Sequence, residues 1–207
     1  MMKNKKMTFP SKPILIVDVE GNGHTPPDLV EISILKFDPY SISEHQNHTW
    51  LIKPKNSIKR VVTRIHGIKN SDVASSPVWD DIKEEVSLLL EGAWFVAHNA
   101  KVDYDVIKRH IPEWEPVGII DTLRLSRCVL PNAPSHSLEK LMRYTGLLPD
   151  GSSSFHRASF DVQATSELFK FLIDKANFSD WNEVCKVSEI NSLLKKEHNS
   201  PTQGELW

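Results

Sequence analysis

The run Ile14-Leu15-Ile16-Val17-Asp18-Val19-Glu20-Gly21-Asn22-Gly23 decides how the rest of the chain is read. Its β-branched apolar start predicts a buried strand over Ile14 to Val19, and Glu20-Gly21-Asn22-Gly23 predicts a tight turn at the strand's end. Strand side chains alternate, so Asp18 and Glu20 share one face while Val17 and Val19 take the other. Two acids there read either as a strand end meeting solvent or as the start of an acidic site. Gly21 and Gly23 favour the second reading, because a turn without side chains lets something large approach the carboxylates.

Outward from this strand, two more are expected at about Leu29 to Phe37 and Thr49 to Ile52, with Asp38-Pro39 and Lys53-Pro54 as breakers. They give an antiparallel start. From Trp79 to Glu91 the apolar residues Ile82, Val86, Leu89 and Leu90 recur at helical spacing before Gly92. A strand at Trp94 to Ala97, a helix at Lys101 to His110, a strand at Val117 to Ile120 and a helix at Thr122 to Val129 then alternate, which is the pattern of an α/β domain. Helices are also predicted at Ser137 to Tyr144 and Ser159 to Ala176. The second places Asp161, Thr165, Leu168 and Leu172 on one stripe. The division expected is a flexible segment at 1–12, a main α/β domain at 13–176, a small helical appendage at 177–194 and a polar tail at 195–207.

Composition limits the function classes. The 207 residues are 40% hydrophobic and 25% charged, which excludes a fibrous or wholly disordered chain. Lys plus Arg number 25 against 27 Asp plus Glu, a formal charge of −2, so bulk charge supplies no attraction to phosphates and any such binding must be local or assisted by metal ions. Cys128 and Cys185 are far apart, offering neither a disulfide framework nor a thiolate zinc site. With no apolar run of signal or membrane-spanning length, the expectation is a cytoplasmic protein without a membrane partner.

Two further constellations carry chemistry. His98-Asn99 ends a strand, and Asp103 lies one turn into the following helix, where α/β proteins tend to place ligands. Asp105 sits ~200° around that helix, with Lys101 and Arg109 as surface partners at i−4 and i+4, which leaves Asp103 to face inward. Asp161 lies on the apolar stripe of the last strong helix and needs a cation or hydrogen-bond donor opposite it. His156, preceded by the lead-in Gly151-Ser152-Ser153-Ser154, can lean over the same spot from a loop. Four carboxylates, Asp18, Glu20, Asp103 and Asp161, would repel one another without metal and suit two hard divalent cations, Mg²⁺ or Mn²⁺.

In this order, Asp18-Val19-Glu20, His98-Asn99-Ala100-Lys101-Val102-Asp103 and His156-Arg157-Ala158-Ser159-Phe160-Asp161 resemble the three motifs of the DEDDh exonucleases, a family of proofreading subunits, ribonuclease T and exonuclease X. Thr63-Arg64-Ile65-His66-Gly67-Ile68, Asp121-Thr122 and the Ser137-Leu138 helix start resemble its secondary features. The chain's length and the stretch from Trp181 to Leu194 resemble the exonuclease X branch. Gly21-Asn22-Gly23 and Val102 depart from the family pattern, where hydroxyl residues and an aromatic are usual.

The resemblance implies a ribonuclease H-like fold with a mixed five-stranded sheet flanked by helices. It also implies Asp18, Glu20, Asp103 and Asp161 as metal ligands, His156 as general base, and a two-metal 3′-5′ exonuclease acting on DNA 3′ ends to release 5′-mononucleotides. RNA is the alternative substrate, and a polymerase-associated proofreading or non-catalytic binding module the alternative role. Gly21, His66 and Asn99 are candidates for holding the terminal nucleotide, and Lys53, Lys55, Lys59, Arg60 and Arg64 for tracking a phosphate backbone. The tryptophans read as core residues. A homo-oligomer and the pathway served, DNA repair among others, are left open.

Overall fold

Alternation along β1 (Ile14–Gly21) sends Ile14 and Ile16 into one apolar core and Leu15 and Val17 into another, so this strand runs through the middle of the molecule. The computed structural model describes residues 7–40, 47–148 and 155–194. Antiparallel to β1 runs β2 (Leu29–Lys36), which in turn pairs antiparallel with β3 (Asn47–Leu51). On the other side β4 (Trp94–Ala97) and β5 (Gly118–Asp121) join in parallel. The spatial order is β3-β2-β1-β4-β5, the mixed five-stranded sheet expected from the sequence.

The helices are α1 (Arg60–His66), α2 (Trp79–Leu90), α3 (Lys101–His110), α4 (Thr122–Val129), α5 (Leu138–Tyr144), α6 (Ala158–Ala176), α7 (Trp181–Ser188) and α8 (Asn191–Leu194). α2 and α3 cover the face of Leu15 and Val17, and α4 to α7 cover the face of Ile14 and Ile16. In α6, Thr165, Leu168 and Leu172 are buried along the predicted stripe, and Asn177 in the left-handed conformation ends the helix. Each aliphatic side chain buried there is worth roughly 1.5–3 kcal/mol, which fixes the α6 N-terminus over the carboxyl end of β1.

α1 departs from the sequence reading, which placed no helix there. Val61, Val62, Thr63 and Ile65 are β-branched, so propensity argues against it. Tertiary packing decides otherwise: Val62 packs on Ile58, Ile68 and Val73, and Gly67 (φ 78°) caps the helix by donating its N–H to the Thr63 carbonyl.

In the described part of the 1–12 segment, Met7 and Phe9 are apolar and pack in the α6–α7 core. Thr8 forms a bridge with Asp180, and the Phe9 ring lies 6.3 Å from that of Trp181. Beyond α7, Glu189 bridges to Ile120, and the Ile190 N–H donates to the Ile119 carbonyl at 2.9 Å, so the chain folds back along the outer edge of β5. Among the described residues no helix is long and apolar enough to cross a membrane.

Candidate active site

Asp18 and Glu20 continue the row begun by Ile14 and Ile16, so both carboxylates lie on the α6 face at the end of β1, half-buried. The register shifts between Glu20 and Gly21 as the chain turns away. The glycines of this turn permit close internal packing. A Cβ on Gly21 would lie 3.1 Å from Pro27 Cβ, and one on Gly23, which has φ 80°, 2.9 Å from Val62 Cγ1. Between them the fully buried Asn22 holds the turn. Its amide nitrogen donates to Asp28 and to the Asn56 carbonyl, and its oxygen accepts from the N–H groups of His24 and Asp28.

Asp103 comes from α3 on the other side of β1. It is 5% exposed, and its Oδ1 accepts the Val19 N–H at 3.1 Å, while Asp105 is exposed and paired with Lys101. Asn99 (φ 68°) turns the chain between β4 and α3, its N–H donating to Asp121 at 3.0 Å, and it lines a cavity of about 700 Å³ with Asp18, Arg127, Ser135, His156 and Asp161. His98 plays a scaffolding part. The His136 carbonyl accepts from its Nε2–H at 2.9 Å, which makes Nδ1 the acceptor facing the Thr122 hydroxyl, also at 2.9 Å. Burial holds its pKa below the usual imidazole value.

His66 is buried beside the site, with Glu31, Arg157 and His156 near it. It is 3% exposed, its Nδ1 accepts the Ile68 N–H at 3.0 Å, and its Nε2 faces the Gly21 carbonyl without reaching hydrogen-bond geometry. The basic residues Lys53, Lys55, Lys59, Arg60 and Arg64 are exposed on the loop and helix beside the glycine turn, joined to it by Lys59 N–H donating to the Asn22 carbonyl. Trp94, Trp114 and Trp181 pack internally.

The third element is the start of α6. His156 is exposed, has φ 67° and donates its N–H to Asp161 Oδ2 at 3.0 Å. Asp161 is 7% exposed, and its Oδ1 is buried without a hydrogen-bond partner. The Gly151-Ser152-Ser153-Ser154 lead-in lies outside the described residues. Glu31 and Arg157 escaped the sequence reading. Glu31 is fully buried, stands opposite Glu20 in the β1–β2 register and is held by Arg157. An acid inside the apolar run Leu29 to Leu35 was the available signal.

One ligating atom from each of Glu20, His156 and Asp161 lies within 4.8 Å of the others. Burial, then the nearby charges of Asp103, Asp161 and Glu20, pushes Asp18 well above the ordinary carboxylate range. Burial and Asp161 push Glu20 up to about 8. Burial is the leading cause for Asp103 and Asp161 as well, each raised to about 7 despite the hydrogen bonds from Val19 and His156. Carboxylate oxygens, an orphaned buried acceptor and unrelieved repulsion fit a hard divalent cation.

Comparison with known proteins agrees with this geometry. Residues 15–169 match the model of the RNase_T exonuclease family. The chain is 29% identical over 171 residues to the 3′-5′ exonuclease DinG of Bacillus subtilis, covering 78% of this chain and 18% of that protein. It is 31% identical over 193 residues to the PolC-type DNA polymerase III of Thermotoga maritima, covering 90% of this chain and 13% of that one. It thus spans under a fifth of the length of these relatives. The structure of exonuclease X in complex with 5′ overhanging duplex DNA superposes with a TM-score of 0.64 at 26% identity, over 80% of this chain and 93% of the other. E. coli exonuclease I in complex with a dT13 oligonucleotide gives 0.68 at 17% identity, over 79% and 41%, which shows the shared fold. Sheet order, helix placement and the matched span lead to one assignment: the chain has the ribonuclease H-like fold and belongs to the RNase_T exonuclease family.

Proposed function

We propose that this chain is a divalent-cation-dependent 3′-5′ exonuclease that hydrolyses the terminal phosphodiester of DNA and releases 5′-mononucleotides. The observation that carries this reading is the convergence of Asp18, Glu20, Asp103 and Asp161, all raised in pKa, beside His156. Asp18, Glu20 and Asp161 would hold one cation and Asp18 with Asp103 a second, Mg²⁺ or Mn²⁺. Bound there, the ions would neutralise the acids, lower the pKa of water in the site and stabilise charge on the leaving 3′ oxygen.

The chain's own groups do the rest. His156 removes the proton of the attacking water, a task suited to an imidazole on an accessible loop. Asp161 orients His156 by accepting its N–H. Asn99, from the cavity wall, and Gly21, at the end of β1, flank the acids and form the wall against which the terminal nucleotide would rest. The exposed cations from Lys53 to Arg64 supply the local attraction to phosphate that a formal charge of −2 does not. Cys128 and Cys185 are free thiols, in keeping with the cytoplasm.

The test is digestion of 5′-labelled single-stranded DNA, duplex DNA and RNA of one sequence with Mg²⁺ or Mn²⁺. A ladder shortening from the DNA 3′ end is expected, and Asp18→Ala should abolish it without unfolding the chain. A ladder on RNA alone would make the enzyme an exoribonuclease. No ladder on any substrate would leave a binding module and overturn the proposal.

A further inference from the structure

The acidic site contains one carboxylate too many for the exonuclease reading. Glu31 is fully buried and lies on the same sheet face as Glu20, directly opposite it across β1 and β2. It does not join the tight group of Glu20, His156 and Asp161. Instead it is bound by the chain 126 and 127 residues away. Arg157 donates from Nη2 to Glu31 Oε1 at 2.7 Å and from Nε to Oε2 at 3.2 Å, and the Ala158 N–H donates to Oε2 at 2.8 Å.

These three bonds have a mechanical result. Arg157 is the residue at which α6 begins, and its own side chain does not cap the helix. Glu31, from a neighbouring strand, accepts a first-turn N–H in its place and grips the guanidinium in a two-point fork, which fixes orientation as well as distance. His156 is the next residue back. Its left-handed backbone (φ 67°) is unfavourable for a side chain with a Cβ and persists only where neighbouring contacts enforce it. Two contacts are present: the His156 N–H to Asp161, and the Arg157 fork immediately after it.

We infer that Glu31 and Arg157 form a positioning pair that clamps the start of α6 to β2 and so holds His156 in working geometry over Glu20 and Asp161. The pair acts through His156 and touches no reacting atom. This deepens the exonuclease reading and rests on it, since the geometry being held is that of its proposed base.

Arg157→Lys keeps the charge but loses the fork, and Glu31→Gln keeps the shape but loses the charge. The first measurement needs no activity: amide hydrogen exchange of the 155–161 peptide against the 14–20 peptide, with melting temperature as the fold control. Exchange across 155–161 should accelerate by about tenfold or more in Arg157→Lys while 14–20 is unchanged. In the second, kcat should fall by about tenfold or more with KM little changed, and Arg157→Lys should cost nothing further in a His156→Ala background.

Unchanged exchange at 155–161, or rate losses that multiply in the double variant, would overturn the inference. Should Arg157→Lys not fold, Glu31→Gln is carried through the same two measurements. If neither folds, the pair is a staple of the fold and the positioning role is wrong. An inactive wild-type enzyme would overturn the exonuclease reading instead, and the exchange result would still decide whether the clamp exists.

Discussion

Removing metal at rising pH should expose the strain built into the carboxylate cluster. Glu20 is raised from 4.5 to about 8, so the folded state keeps a proton that the unfolded chain has already released. A group raised in the fold contributes stability that is intact below its ordinary pKa and is lost as pH climbs through the folded value, here between about 4.5 and 8. Each pH unit well below the folded value is worth about 1.4 kcal/mol per group and the slope halves at that value, so the step from pH 6 to pH 8 costs ~2 kcal/mol through Glu20 alone. For a chain of 207 residues that is a drop of roughly 4–8 °C in melting temperature.

Asp18, Asp103 and Asp161 are displaced the same way and add to the loss. Divalent cation should reverse the trend, because its ligands must be deprotonated: Mg²⁺ at about 100 times its Kd restores ~2.7 kcal/mol, with tighter binding at pH 8 than at pH 6. The assay is thermal unfolding followed by circular dichroism across pH 5 to 9, with chelator and with Mg²⁺. A metal-free melting temperature that rises from pH 6 to pH 8, or a Mg²⁺ stabilisation that shrinks over the same interval, would refute the reasoning.

Asp161→Asn should raise the metal-free melting temperature at pH 8 by removing one repelling charge, yet reduce exonuclease turnover below detection; calorimetry on the variant should show metal affinity weakened at least tenfold. His156→Ala should lower kcat by about 10²–10⁴ while leaving Mg²⁺-induced stabilisation in place, as read by single-turnover kinetics beside a melting curve. Gly23→Ala forces a Cβ into a left-handed residue against Val62 and should cost about 1–3 kcal/mol by urea unfolding, with greater loss from any β-branched replacement.

What the sequence made legible follows from how local its signals were. The strand over Ile14 to Val19 and the stripe of α6 carry their periodicities in one continuous segment, so their burial could be read directly. Asp103 was separable from Asp105 by helix geometry, and the structure places the first inside and the second outside. The α1 helix was illegible because four of its seven residues are β-branched and its stability comes from Ile58, Ile68 and Val73. The surroundings of His66 were also out of reach, because they include Gly21, 45 positions away. The partnership of Glu31 with Arg157 is equally non-local, since the buried acid is visible in the sequence but its partner is fixed only by α6 docking on β2.

The return of Glu189 and Ile190 along β5 bears on how such a sheet remains single. A bare outermost strand offers unpaired amides and carbonyls as a template for a neighbouring molecule. Here a stretch downstream of the acidic site's elements occupies part of that template, so damage to it should first be felt as self-association and falling solubility, while the acidic site on the far side of β4 stays intact.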